Sequence, residues 1–279
     1  MNLWQAAVLA VVQGLTEFLP VSSTAHLALI PWIFHWKDPG LAFDVALHVG
    51  TLVAVLVYFV RTWLDLVLLA LGKQPMFDAA SSDLKINPDL FWFLVLATFP
   101  AAIAGWAFHE QVETTWRHPV VIGIAMIGIA LFMAWGERAG RQRKDLALVR
   151  LWDSLAIGFS QAIALVPGVS RSGITITAGL LRDLKRDTAA RFSFLLSTPI
   201  IAGAAFKELI SFPDRRIPAE MQMPFVVGAI ISAIVGYVTI AVFLKYLQFG
   251  TFKIFVYYRL VLGIIILALA FFFQLGTGV

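Results

Sequence analysis

The sequence predicts an all-α polytopic membrane protein built from two inverted-topology repeats, each a re-entrant helical hairpin followed by three transmembrane helices. Three observations carry that prediction. Of the 279 residues, 60% are hydrophobic and 14% charged, where a soluble domain carries about 25% charged residues to clothe its surface. Six apolar runs reach the roughly 20 residues that cross a hydrocarbon core about 30 Å thick. Finally, each half of the chain begins with an apolar stretch broken in its middle by Pro, Gly, Ser and Thr.

The elements follow in chain order. Residues 3–34 are apolar but interrupted by Pro20-Val21-Ser22-Ser23-Thr24. No basic residue precedes the run and polar residues lie inside it, so it does not read as a cleavable signal peptide. Crossings are expected at 42–60, 89–108 and 118–137, completing a first repeat of residues 1–137. A charged linker, 138–150, is expected on the cytoplasmic side. Residues 151–181 are then broken by Pro167-Gly168-Val169-Ser170-Arg171-Ser172-Gly173, and crossings at 190–206, 223–244 and 255–275 complete a second repeat, 151–279. Each broken stretch reads as a hairpin rather than one kinked crossing, because both occupy matching places. Irregular backbone at membrane depth requires protein or a wet cavity to satisfy its amides.

The register that lays Gln13 on Gln161 also lays Val21-Ser22 on Val169-Ser170 and Ser23 on Arg171, and one residue more lays Phe43 on Phe192 and Leu47 on Leu196. Three crossings per half, an odd number, require the second half to be inverted. Such repeats place their sites near the midplane, where the halves meet.

The net charge of +4 reads as basic cytoplasmic loops rather than nucleic-acid binding. One face collects Lys37, Arg117, Lys207, Arg215 and Arg216. The other collects fifteen basic residues running from Arg61 through the linker to Arg259, and is expected to be cytoplasmic. Both termini and the first hairpin's mouth then face outward. Without cysteine, disulfides and thiolate metal sites are excluded.

Arg171 lies in the second break, and Glu17 is the only formal charge in the first 36 residues. Ionisable groups at membrane depth cost several kcal/mol or more, so a partner or a function is the default hypothesis. The bland alternative is a buried structural ion pair. Their company argues for more. Gln13 and Glu17, four apart, share a helix face that runs into Ser22, Ser23 and Thr24, with His26 one turn on. Around Arg171 stand Gly168, Ser170, Ser172 and Thr175, before a helix whose free amides favour anions, while the guanidinium fork suits phosphate. Anion-binding elements opposite nucleophile and acid–base candidates point to phosphoryl chemistry. Asp44 and His48, four apart, are placed to line a cavity near the first hairpin, although a helix-packing hydrogen bond is the readier reading. Asp183, Lys185, Arg186, Asp187 and Arg191 read as a solvated loop, and Glu110 and Glu113 as an outward-facing one.

The run Gln13-Gly14-Leu15-Thr16-Glu17-Phe18-Leu19-Pro20-Val21-Ser22-Ser23-Thr24-Ala25-His26 resembles the first signature of the undecaprenyl pyrophosphate phosphatase family, of the bacitracin resistance protein type. Pro167-Gly168-Val169-Ser170-Arg171-Ser172-Gly173-Ile174-Thr175 resembles its second. Gln13 stands where some members carry Glu, so a positioning role falls to it, and Ala25 replaces a glycine common in relatives. The resemblance implies hydrolysis of undecaprenyl pyrophosphate to undecaprenyl phosphate and inorganic phosphate, recycling the lipid carrier of cell-wall precursors at the outward face of a bacterial inner membrane.

It further implies Ser23, or alternatively His26, as nucleophile, with Glu17 or His26 as base. Arg171 would hold the equatorial oxygens, and Gln13, Ser22, Thr24, Gly168, Ser170, Ser172 and Thr175 would bind substrate. No tightly bound cofactor is expected; a divalent cation, Mg2+ or Ca2+, is allowed between Glu17 and the pyrophosphate. The expected partners are the polyprenyl pyrophosphate and membrane lipid, a homo-oligomer being compatible with the apolar surface. A polyprenyl-phosphate transporter or flippase is the rival class, since inverted repeats with broken helices also build transporters.

Overall fold

The computed structural model describes residues 1–77, 85–108, 111, 116, 118–211 and 219–276. Arg117, Arg215, Arg216, Glu110 and Glu113, each given a face above, lie outside the described residues. The described residues form eleven α-helices and no strand. The first half contains α1 (Leu3–Thr16), α2 (Ser23–Ile33), α3 (Leu41–Tyr58), α4 (Val60–Ala70), α5 (Leu90–Ala107) and α6 (Pro119–Ala139). The second contains α7 (Leu151–Ile163), α8 (Arg171–Leu181), α9 (Arg186–Ser211), α10 (Ala219–Leu247) and α11 (Lys253–Gly276).

Six helices are long and apolar enough to cross a membrane: 41–58, 90–107, 119–139, 186–207, 221–247 and 253–272. They coincide with the six expected crossings to within a few residues, because bilayer thickness sets both the length and the composition of such runs. Their outward faces are apolar: Phe99, Ile103, Ile124, Val242 and Val261 are all exposed, as a hydrocarbon-facing surface requires. The chain is a multi-pass membrane protein. The short amphipathic α4 continues from the first crossing and was not anticipated; Asp65 on its buried side accepts hydrogen bonds from the Met76 and Phe77 amides at 2.7 and 2.9 Å.

Both broken stretches are pairs of short helices, and their breaks share one local design. Ser22 and Ser170 cap the helices that follow, their hydroxyls accepting from the amides of Ala25 (3.4 Å) and Gly173 (3.1 Å). Both adopt positive φ, +76° and +69°, a conformation that strains a residue with a Cβ and that clusters at functional sites.

The halves interlock. From the first half, α3 packs along α10, α6 along α11, α1 along α10 and α5 along α7. Close approach is built into the sequence: a Cβ added at Gly50 would sit 2.3 Å from the Ala229 carbonyl, and one at Gly158 2.3 Å from that of Ala97. Small residues at such crossings let membrane helices pack backbone to backbone.

The segment around Asp183 is not the solvated loop its charges suggested. The Asp183 carbonyl accepts from the amides of Arg143 and Lys144, its carboxylate accepts from the Arg141 amide, and Arg186 pairs with Glu137. Asp153, fully buried, accepts from Lys144 and Arg182. The linker is thereby stapled to the second half, and Asn87 of the first half donates to its Val149 carbonyl at 2.8 Å.

Candidate active site

The two breaks meet face to face. Arg171, the first residue of α8, donates through Nη2 to Glu17 Oε1 at 2.7 Å and through Nη1 to the Ser193 carbonyl at 3.2 Å. Ser172 donates to the Leu19 carbonyl at 3.0 Å. Behind them lies Arg259, fully buried. Its guanidinium donates to the carbonyls of Pro20 (3.2 Å), Gly168 (2.8 Å) and Val169 (3.1 Å), and its Nε to that of Met126 (3.3 Å). One side chain thus satisfies carbonyls from both breaks, which a bilayer interior would otherwise leave unpaired.

That corrects the sequence reading, which counted Arg259 among exposed cytoplasmic basic residues. It lies inside the last crossing, seven residues along a helix whose 253–272 window is apolar enough to span. The legible signal was a lone arginine within an apolar run.

Glu17, also buried, is the hub. Its Oε2 accepts the Ser23 hydroxyl at 2.7 Å and the Gln13 amide at 3.2 Å, and His48 Nε2 stands 3.5 Å from the same oxygen. His48 Nδ1 bonds the main-chain carbonyl of Asp44 at 2.7 Å, so the intrahelical contact expected from sequence exists. The rest of the imidazole, however, is turned to Glu17, and both Asp44 and His48 line the cavity. Because a carbonyl only accepts, Nδ1 carries a proton.

The cavity has a volume of about 290 Å³. Its polar end is formed by Glu17, Ser22, Ser23, Thr24, Ser170, Arg171 and Gln161, and its wall by apolar residues of α3 and α9, including Leu41, Val45, Ile200, Ile201 and Ala204. The remaining sequence candidates lie behind this surface. Gln13 is fully buried against Glu17. Thr175 bonds the Arg171 carbonyl and the Ser193 hydroxyl, both at 2.7 Å. Gly168, at φ +93°, gives its carbonyl to Arg259.

His26 is turned away as well. Its Nδ1 donates to the Ser22 carbonyl at 2.7 Å, which leaves Nε2 to accept the Tyr258 hydroxyl at 2.5 Å. Among the described residues no group of three His, Cys, Asp or Glu side chains is placed to hold a metal ion.

The arrangement sets a hydroxyl against a carboxylate base beside a guanidinium, at the polar end of an otherwise apolar cleft. It belongs to an all-α, multi-pass membrane protein equipped for anion chemistry on an amphipathic molecule. The chain belongs to the family described as bacitracin resistance protein BacA, whose profile matches residues 6–265. Relatives named undecaprenyl-diphosphatase include that of Moorella thermoacetica, 47% identical over 96% of this chain and 98% of the relative. Those of Pelotomaculum thermopropionicum (45%, covering 99% and 100%) and Desulforudis audaxviator (47%, covering 97% and 98%) match equally broadly.

Proposed function

We propose that this chain is a membrane phosphatase that hydrolyses undecaprenyl pyrophosphate to undecaprenyl phosphate and inorganic phosphate, recycling the lipid carrier of cell-wall synthesis. The observation that carries the reading is the Ser23 hydroxyl donated to Glu17 at 2.7 Å beside Arg171, in a cleft whose wall suits a prenyl chain. The names of the family's relatives supply the substrate.

Ser23 Oγ attacks the terminal phosphorus as its proton passes to Glu17 Oε2. The bond from phosphorus to the bridging oxygen breaks, and undecaprenyl phosphate leaves. Water then attacks the phosphoserine, and inorganic phosphate departs as the Ser23 hydroxyl is restored. Arg171 has five N–H donors, of which Glu17 and Ser193 engage two; others are free for phosphoryl oxygens. Protonation of Glu17 weakens its hold on Arg171 as those oxygens gain charge, so the guanidinium is released toward them when they need it. Electrostatic stabilisation of this kind carries much of phosphoryl transfer.

A Mg2+ or Ca2+ arriving with the pyrophosphate would be held chiefly by the substrate, with Glu17, the carboxylate beside Ser23 and Arg171, to assist, and would supply neutralisation of phosphate charge. The basic linker and its partners gather at one end of the bundle. Placing that end in the cytoplasm opens the site to the outer face of a bacterial inner membrane, with both termini outside.

The test is phosphate release from undecaprenyl pyrophosphate by the detergent-solubilised protein. Wild type is expected to release phosphate, and Arg171→Ala and Ser23→Ala to lose roughly 10² to 10³ in rate, the worth of a well-placed group in an anion hole. No release from folded wild type, across pH and divalent-cation conditions, would leave lipid transport as the function.

A further inference from the structure

Gln161 is 2% exposed and lines the cavity with Glu17, Ser23 and Arg171, yet both its amide nitrogen and its amide oxygen lack any hydrogen-bond partner among the described residues. Such a group is rare and calls for an explanation, since a buried amide left unpaired forfeits its hydration without return.

The repeat explains how the amide comes to be unpaired. Gln161 is the counterpart of Gln13, which donates to Glu17 one helical turn on. The register that aligns the two glutamines lays Glu17 on Leu165, so the second half keeps the amide without the carboxylate. Leu165 lines the same cavity and offers Gln161 nothing polar. In the first half, Gln13 serves the base; in the second, the same position lines the cleft with no carboxylate to serve.

We propose that Gln161 is a substrate-binding residue. Its Nε2 donates to a non-bridging oxygen of the pyrophosphate, and its Oε1 accepts from a water on the phosphoryl group. The proposal rests on the phosphatase reading for its substrate, and its ligand class is a phosphate or pyrophosphate anion.

The test is Gln161→Met, which keeps the unbranched length and removes both polar atoms. It is measured beside wild type and Arg171→Ala for kinetics on the lipid substrate and for thermal unfolding with and without inorganic pyrophosphate. The variant is expected to be at least as heat-stable as wild type without ligand, because no bond within the protein is lost. Its kcat/KM should fall about tenfold to a hundredfold, the worth of one charge-assisted hydrogen bond, chiefly through KM. A lower unfolding temperature without ligand would make Gln161 structural, and kcat/KM within twofold of wild type would also overturn the proposal. If wild type itself releases no phosphate, the phosphatase reading fails separately. The pyrophosphate-induced rise in unfolding temperature then decides for Gln161: smaller in the variant supports an anion ligand, equal in both, or absent from both, overturns it.

Discussion

Ser23 and His26 stand three residues apart on one helix, yet their surroundings assign them opposite parts. Ser23 opens α2, faces the cavity and gives its proton to a carboxylate. His26 uses one nitrogen on the Ser22 carbonyl and the other on Tyr258, so neither is free to attack. The covalent intermediate should therefore be a phosphoserine. Rapid acid quenching of enzyme turning over substrate labelled in its terminal phosphate is expected to trap an acid-stable label mapping to Ser23. A label lost in acid but kept in alkali would make His26 the nucleophile, and no label at all would point to direct attack by water. The Ser and His candidates were legible in the sequence as a motif. Which of them faces the cleft was not, because it depends on Tyr258, more than two hundred residues away. Arg259 carried a legible signal, a lone arginine in an apolar run, but its carbonyl partners at Pro20, Met126, Gly168 and Val169 did not.

At the scale of elements, the linker shows how charge becomes structure. Burial alone would raise the carboxyl pKa of Asp153, but hydrogen bonds from Lys144, Arg182 and the Arg150 amide outweigh it and hold the group below its ordinary 3.8. A folded-state pKa below the unfolded one stabilises the fold fully above the unfolded value, and that contribution is lost as pH falls through the folded value. Wild type should thus lose thermal stability steeply below about pH 4. Asp153→Asn should start lower at neutral pH and decline less, the two curves converging in acid; parallel curves in differential scanning fluorimetry would refute the ion cluster's role. Sequence reading took the neighbouring Asp183, Lys185, Arg186, Asp187 and Arg191 for a solvated loop because the partners of Asp183 and Arg186, Arg141 and Glu137, lie more than forty residues away. The crossings and the two breaks, by contrast, were legible because each is written locally, in apolar length and in a run of Pro, Gly and Ser.

For the whole molecule, the packing repeats with the halves exchanged. The α1 contact with α10 has its counterpart in α7 with α5, and α3 with α10 in α9 with α5, while α3–α9 and α6–α11 pair like with like. The exchange is imperfect where α8, but not α2, packs closely on the crossing that follows it; the second break carries Arg171 where the first carries Ser23. If each hairpin returns to its own side, three crossings per half put the ends of that exchange on opposite sides of the membrane. The molecule offers a direct test because it contains no cysteine, so any introduced thiol is the sole one. Lys37→Cys, between α2 and α3, should react with a membrane-impermeant maleimide in intact cells. Arg141→Cys, in the linker, should react only after permeabilisation. The opposite pattern would open the cleft to the cytoplasm and hand it lipid pyrophosphate made there, whereas labelling of both in intact cells would break the assignment of the charged linker to one side. An outward cleft fits a phosphatase that takes up the spent carrier where its cargo is delivered; Glu17, Ser23 and Arg171 would do the same chemistry either way, so only the topology decides which pool of the lipid they serve.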